Sequence, residues 1–526
     1  MSFKVSRQKH SLINIGLALI SQVTVVIVGL FLPRAIIQAY GSETNGLVTS
    51  LQQIITYFTL VEGGLAGATI FALYKPLTQD DKVEVCRILS ATKKFYFKVG
   101  ITYLALLLIA MLIYPFMIAR TAFSIAEIMA LVLFIGVNGA TQLWVIGKYK
   151  ALLMASQYSG VVFVLNSAST GLYSVLLILL AYYHVYVVLA FAVASIAYII
   201  RALAFFIAVR KIHPQVNYNA DSKEYKLQQR NDVLLQQLLS MLVMNSSVFI
   251  LTFSKSPMAL ISVFTVYNLV LSSLYTIMNS INNGIAAGFG DLIACGDTEK
   301  LRKTYKEFEV MFQMLWTWVF SCLSVLYLPF IRVYTLNITD AHYILPTVCV
   351  LFILIGASWT IRNQQSILIV AAGRFREIRN GSIIEASLTV ILSMVGFMTY
   401  GLVGMLIGRL LVTMYRAVDY IIHCNKYVVK ISMGFTFWQI CLSIVSVGAS
   451  YTVSSLVFTS YPDSFVSWTV EAICCAVVCA AVMLVFRLIF DSSTTLSVLE
   501  RFAQMLKNTF VGKDNLKHNS LKERKV

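Results

Sequence analysis

The sequence predicts an all-α polytopic membrane protein with about 14 transmembrane helices, arranged as two six-helix lobes with two appended C-terminal helices. Three observations predict it. Hydrophobic residues make up 58% of the 526 positions and charged residues 12%, against roughly 25% charged in a soluble domain. Apolar runs recur from residue 11 to residue 490, each near the length of about 20 residues that crosses a bilayer as a helix. The basic residues also alternate in density along the chain. With spans at 11–39, 45–72, 95–114, 122–147, 158–181, 186–209, 232–251, 258–284, 310–331, 343–370, 382–399, 402–424, 435–457 and 468–490, the two tails and the even-to-odd connections, with Lys98 at the inner edge of span three, hold 32 of the 41 Lys and Arg residues. The opposite side has four (Arg34, Arg120, Lys255, Arg332), and five lie within spans (Arg201, Arg362, Arg409, Arg416, Arg487). That bias puts both termini in the cytoplasm and calls for an even number of spans. The net charge of +17 is then a topology signal, and nucleic acid is not expected as a partner.

The first span starts after the basic tail Met1–His10 and is polar for a membrane helix. Asn14, Ser21 and Thr24 recur on one side, which suggests that this helix lines something. Pro33 near its outer end would bend it. The polar turn Tyr40-Gly41-Ser42-Glu43 leads to span two. There Asn45, Thr49, Gln52 and Thr56 follow helical spacing and share a face. Glu62 lies further toward the cytoplasm, and a buried acid is costly unless paired or protonated. It either pairs with a neighbouring helix or serves transport. Gly63 and Gly67 form a small-residue pair that permits close helix contact.

The connection Lys75–Lys98 reads as a charged cytoplasmic surface helix. Spans three to six follow with short links. Arg201, in the inner half of span six, is expected to snorkel to the inner interface. Residues 210–231 form the long polar connection between two blocks of six spans. Span eight carries Asn268, Ser272, Tyr275 and Asn279 and ends in a Gly-containing cluster, as span two does. Asp297–Glu309 reads as a basic cytoplasmic connection. Arg362 sits with Asn363, Gln364 and Gln365 near the inner end of span ten. In span twelve, Gly404 and Gly408 allow close packing, and Arg409 and Arg416 share a face with Asp419 beyond them. These arginines either form an intramembrane ion pair, Arg416 with Asp419 or another acid, or line a cationic cavity for phosphate. The chain thus divides into 1–215, 216–430, the appended spans of 431–490, and a basic cytoplasmic tail, 491–526.

Nine cysteines are present, none on an external connection, so a disulfide framework is not supported. Cys474, Cys475 and Cys479 read as packing residues rather than metal ligands, because no His or carboxylate accompanies them. The first apolar run is too long for a cleavable signal and lacks its small-residue site. There is no GxxxxGK[ST] loop, no nucleophile with its base, and no metal-ligand spacing among the scattered histidines. No cofactor is expected. A transporter without its own engine fits better than an enzyme.

At FLPRAIIQAYGSETNGLVTSLQQ and VEGGLAGATIFALYKPL the sequence resembles the Wzx-type polysaccharide flippases of the multidrug/oligosaccharidyl-lipid/polysaccharide exporter (MOP) superfamily. Phe31, Arg34, Gly41, Gly46-Leu47 and Glu62-Gly63-Gly64 carry the resemblance over residues 11 to about 90. It is looser over SVFTVYNLVLSSLYTIMNSINNGIAAGFGDL. The resemblance implies two six-helix bundles in a V around a central cavity, in the cell membrane. The substrate it implies is an oligosaccharide on a polyprenyl pyrophosphate, moved from the cytoplasmic to the outer leaflet by alternating access. Membrane lipids and glycan-assembly proteins are the expected partners. Arg34 would hold phosphate, and Asn45, Gln52, Asn268 and Asn279 would bind sugar hydroxyls. Glu62 would couple transport to a proton or sodium ion. Some lipid-linked precursor flippases carry an arginine in the first helices of the second lobe. Spans seven and eight have none here, which leaves Arg362 and Arg409 as substitutes.

The alternative within the superfamily is a cation-coupled small-molecule antiporter. An apolar, aromatic, acidic pocket would favour the antiporter, and a cationic one the lipid-linked sugar. A membrane polymerase or ligase would need a catalytic cluster that the short external connections scarcely provide. A structural scaffold would not need buried charges.

Overall fold

The structure, a computed structural model, describes the backbone of residues 2–62, 64–218, 230–458, 462–492, 494–498 and 500. Side chains are described from residue 16 onward except at 19, 230–237, 280–284, 286, 287, 294, 375 and 376. The Asn14 and Gly63 expectations and the basic tail therefore lie outside what is described.

Among these residues the chain is helical, in the order α1 (Ser2–Phe58), α2 (Leu65–Thr78), α3 (Lys82–Met117), α4 (Ile125–Thr141), α5 (Gly147–Ala155), α6 (Ser159–Tyr182) and α7 (Val187–Ile212). Then come α8 (Arg230–Phe253), α9 (Met258–Ala294), α10 (Thr298–Tyr334), α11 (Pro346–Ala371), α12 (Phe375–His423), α13 (Met433–Val457) and α14 (Phe465–Phe490). Eleven helical stretches are long and apolar enough to cross a membrane. Two of them, Gly16–Thr78 and Glu377–Val429, break at Gly41 and at Tyr400-Gly401, and Leu238–Phe253 is a shorter apolar helix. Counted as separate helices, these are fourteen candidate spans among the described residues, the number that the apolar runs predict.

The breaks and ends follow from the sequence. Gly41 has φ 86° and ψ 166°, a conformation that a Cβ would strain. Asp340 Oδ2 also lies where that Cβ would come, 3.1 Å away. Helix starts are capped by short polar side chains. Asp81 accepts from the Glu84 amide at 3.0 Å, and Asp297 from that of Lys300 at 3.0 Å. Ser124 and Glu127 form a reciprocal capping box.

Two compact units result. The first comprises Met1–Ser273, Asn337–Tyr343 and Ala386–Met394; the second comprises Leu274–Leu336, Ile344–Glu385 and Val395–Val526. In the first, α1 packs on α6, α6 on α7, and α4 on α3 and α7. Leu73, Leu89, Leu152 and Phe205 lie in one of its buried clusters. In the second, α10 packs on α11, α13 and α14, and Tyr305, Phe312, Trp316 and Leu368 lie in one of its buried clusters.

Two local expectations are corrected. Ser21 does not face a cavity, because its hydroxyl accepts from Ser167 of α6 at 3.0 Å. Gly67 does not sit against a neighbouring helix: a Cβ there would meet open space. Close approach occurs instead at Gly46, whose missing Cβ makes room for the Met258 carbonyl, and where Gly404 meets Gly396.

Candidate functional site

A cavity of about 550 Å³ lies within the first unit. Five helices supply its polar lining, four of them by residues one or two turns apart. Gln52, Thr56 and Thr59 come from the end of α1 and the 3₁₀ turn after it. Asn138 and Gln142 come from α4 and the π-helical turn Gln142–Ile146. Asn166 and Tyr173 belong to α6, and Tyr198 and Arg201 to α7, with Lys150 from α5 completing the wall. None of these lining residues is acidic.

Arg201 is the buried charge of the cavity, 7% exposed. Its Nη2 donates to Asn138 Oδ1 at 2.9 Å, to the Asn138 carbonyl at 3.4 Å and to Thr141 Oγ1 at 3.3 Å. The guanidinium lies 5.2 Å from the centre of the Tyr198 ring. Tyr198 in turn stacks on Tyr173, with centroids 4.8 Å apart and planes at 28°. Arg201 Nε is buried without a hydrogen-bond partner, and Arg201 makes no ion pair among the described residues. A buried cation answered by neutral groups alone is costly. The arrangement is poised for an anion, with amides and hydroxyls around it for a hydroxyl-rich ligand.

One cluster in the second unit holds its charges the opposite way. Arg416 is fully buried and bound on every side. Its Nε donates to Glu385 at 3.1 Å, and Nη2 to Ser382 at 2.8 Å and to the Ile378 carbonyl at 3.0 Å. Nη1 pairs with Asp419, and Arg362 pairs with the other oxygen of Glu385. Both guanidinium groups lie over Tyr420, at 4.4 Å for Arg416 and 5.6 Å for Arg362. This network is neutralised by its own acids.

No protein-family model matches the chain, and no curated protein matches it by sequence. Solved structures do. The lipid II flippase MurJ, in an inward closed conformation, superposes with TM-score 0.62 at 14% identity, covering 91% of this chain and 99% of MurJ. The fold is that of MurJ and the MATE transporters. An inward-facing multidrug resistance MATE transporter of the MOP superfamily gives 0.54 at 16% identity, over 77% of this chain and 92% of its own. The Vibrio cholerae MATE transporter VcmN, as a point mutant, gives 0.53 at 16%, over 83% and 100%. Such identities speak for the MurJ/MATE fold alone, and any chemistry must be read from this chain's own side chains.

Within that fold the sequence-predicted residues scatter. Gln52 lines the cavity. Asn45, seven residues earlier, is buried elsewhere and donates to Ser262 at 2.7 Å. Ser262 continues through the Tyr343 hydroxyl, at 2.9 Å, to Ser42 and Asp340. Glu62 is half-buried and accepts from the Tyr96 hydroxyl at 2.5 Å. Arg34 and Asn268 are half-buried, and Asn279 is exposed. Arg409 is buried, with Tyr275 as its electrostatic neighbour.

Two readings are overturned. Arg201 does not snorkel to an interface; Asn138 holds it inside. Glu309 does not lie in an exposed connection; it is 0% exposed in α10, with Thr436, Gln365 and Tyr305 as neighbours. A signal for Arg201 was present: Asn138 and Gln142, one turn apart on span four, marked a polar helix face able to receive it.

Proposed function

We propose that this chain is a flippase of the Wzx type, moving a polyprenyl-pyrophosphate-linked oligosaccharide from the cytoplasmic to the outer leaflet of the plasma membrane, with both termini cytoplasmic. One observation carries the reading: Arg201 stands buried in an acid-free, amide- and hydroxyl-lined cavity. A sugar-pyrophosphate head is anionic and rich in hydroxyls, and it cannot cross hydrocarbon unaided. Arg201 and Lys150 answer its charge, while Gln52, Asn138 and Asn166 answer its hydroxyls. Other assigned phosphate contacts are Arg34, Arg362 and Arg409, with Asn45, Asn268 and Asn279 for sugar. Arg201 ranks ahead of Arg362, because a ligand reaching Arg362 must compete with Glu385. Glu62 is the assigned coupling site for a proton or sodium ion, its carboxyl held by Tyr96. A MATE-like antiporter for organic cations would need an acid where this cavity has none.

Reconstituted in vesicles, the protein should carry a fluorescent polyprenyl-pyrophosphate oligosaccharide between leaflets and leave a cationic dye behind. Dye transport without movement of the lipid-linked sugar would overturn the reading in favour of the antiporter.

A further inference from the structure

A second hollow in the first unit, about 500 Å³, has a different chemistry. Lys93, Lys94 and Lys98 of α3 meet Lys148 of α5 around it, with Phe97 and Trp144 as aromatic walls. The three α3 lysines and Phe97 fall within two adjacent turns and so share one side of the helix. Trp144 belongs to the π-helical turn, a local widening often found at functional sites. It is held in place from two sides. Its ring lies 6.1 Å from that of Phe97, and its Cβ would come within 3.2 Å of a Cβ at Gly100. The turn thus sends Gln142 to the Arg201 cavity and Trp144 to the lysine hollow.

Positive-inside bias explains lysines at the cytoplasmic end of a span. It does not explain four of them around one hollow with no acid among the lining residues. Lys93 and Lys148 are close enough to repel one another, and an anion between them would relieve that cost. The outer face of α3 continues away from the hollow as an apolar track. Phe97, Ile101, Leu108 and Leu112 recur at helical spacing and are 50%, 49%, 53% and 58% exposed. A charged head with a hydrocarbon chain matches both parts.

We propose that the hollow binds a phosphate-headed lipid, its phosphate on the lysines, its first carbons against Phe97 and Trp144, and its chain along α3. Basic pockets between membrane helices on the cytoplasmic side recognise such headgroups. The assignment does not depend on the substrate proposed for Arg201. Two sources share the chemistry, a bilayer phospholipid with an exposed phosphate and a polyprenyl phosphate carrier.

Native mass spectrometry of the purified protein in neutral detergent tests it, with phosphatidic acid, polyprenyl phosphate and phosphatidylcholine as probes. At least one of the two phosphate lipids should be retained roughly tenfold over phosphatidylcholine. Lys93→Gln with Lys148→Gln should abolish that preference. Lys300→Gln with Lys303→Gln, an equal charge change on exposed residues of α10, should preserve it. Retention of phosphatidic acid alone identifies a bilayer lipid, and retention of polyprenyl phosphate identifies the carrier. No preference over phosphatidylcholine, or equal loss in both double variants, overturns the proposal.

Discussion

Arg201 Nη2 carries the bonds to Asn138 and Thr141 while Nε, equally buried, carries none. The proposed function assigns that unfilled donor to the anion. Arg201→Ala should reduce export of surface glycan at least tenfold with the protein still in the membrane, since a charge-assisted bond contributes about 1.5–3 kcal/mol. Arg201→Lys should restore part of it, keeping charge but losing the planar fork. Surface-glycan staining with a membrane-fraction blot reads both. Arg416 behaves oppositely. Arg416→Ala leaves Arg362 as the one arginine for two acids, Glu385 and Asp419, and should destabilise the protein by about 3–5 kcal/mol, seen as a lowered melting temperature in detergent. Local sequence carried the Arg416–Asp419 pair, because three residues on a helix bring side chains together. It did not carry Arg201, since a cation near the inner end of a span has the same surroundings in sequence whether it snorkels or turns inward. Nor did it carry the fate of Asn45, whose partner Ser262 lies 217 residues away.

Helix joints place these residues. Tyr96, 1% exposed, reaches Glu62 across the space left by Gly147, where a Cβ would collide with the tyrosine ring. Gly147→Ala should therefore displace Tyr96 and alter ion dependence in the same direction as Glu62→Gln, if Glu62 couples an ion. Initial transport rates at varied proton and sodium concentrations measure this; unchanged ion dependence in Glu62→Gln makes the acid structural. At the end of α7, His213 shares a 2.9 Å hydrogen bond with Ser156 and stands edge-on to Tyr158. Burial holds its pKa below the ordinary value of 6.5. The folded state thus prefers the neutral ring. Its contribution is present above pH 6.5 and fades as pH falls from there through the lowered folded-state value. Melting curves at pH 8 and pH 5 should show a smaller acid loss in His213→Gln than in wild type. The breaks at Gly41 and Tyr400-Gly401 were legible, because polar or glycine-containing turns interrupt apolar runs there. Burial of Glu309 was not, since residues 297–309 have the composition of a cytoplasmic loop and its neighbours Gln365 of α11 and Thr436 of α13 lie far away in sequence.

Across the whole chain, hydropathy and charge act together: apolar runs set the number of crossings and the lysine and arginine bias sets their direction. The helices of the structure follow the spans that the apolar pattern marked. What the pattern leaves open is selectivity, because a polar face says that a helix meets something wet without saying what. The answer proposed for this chain is Arg201, buried in an acid-free cavity without an ion pair among the described residues. The most direct measurement is the rate at which vesicles containing the protein translocate two oligosaccharide lipids that share glycan and chain but differ in linkage, one through pyrophosphate and one through a neutral bridge. The pyrophosphate form should cross at least tenfold faster in wild type, and Arg201→Ala should erase the difference. Equal rates in wild type, or a preference that survives Arg201→Ala, would contradict the account.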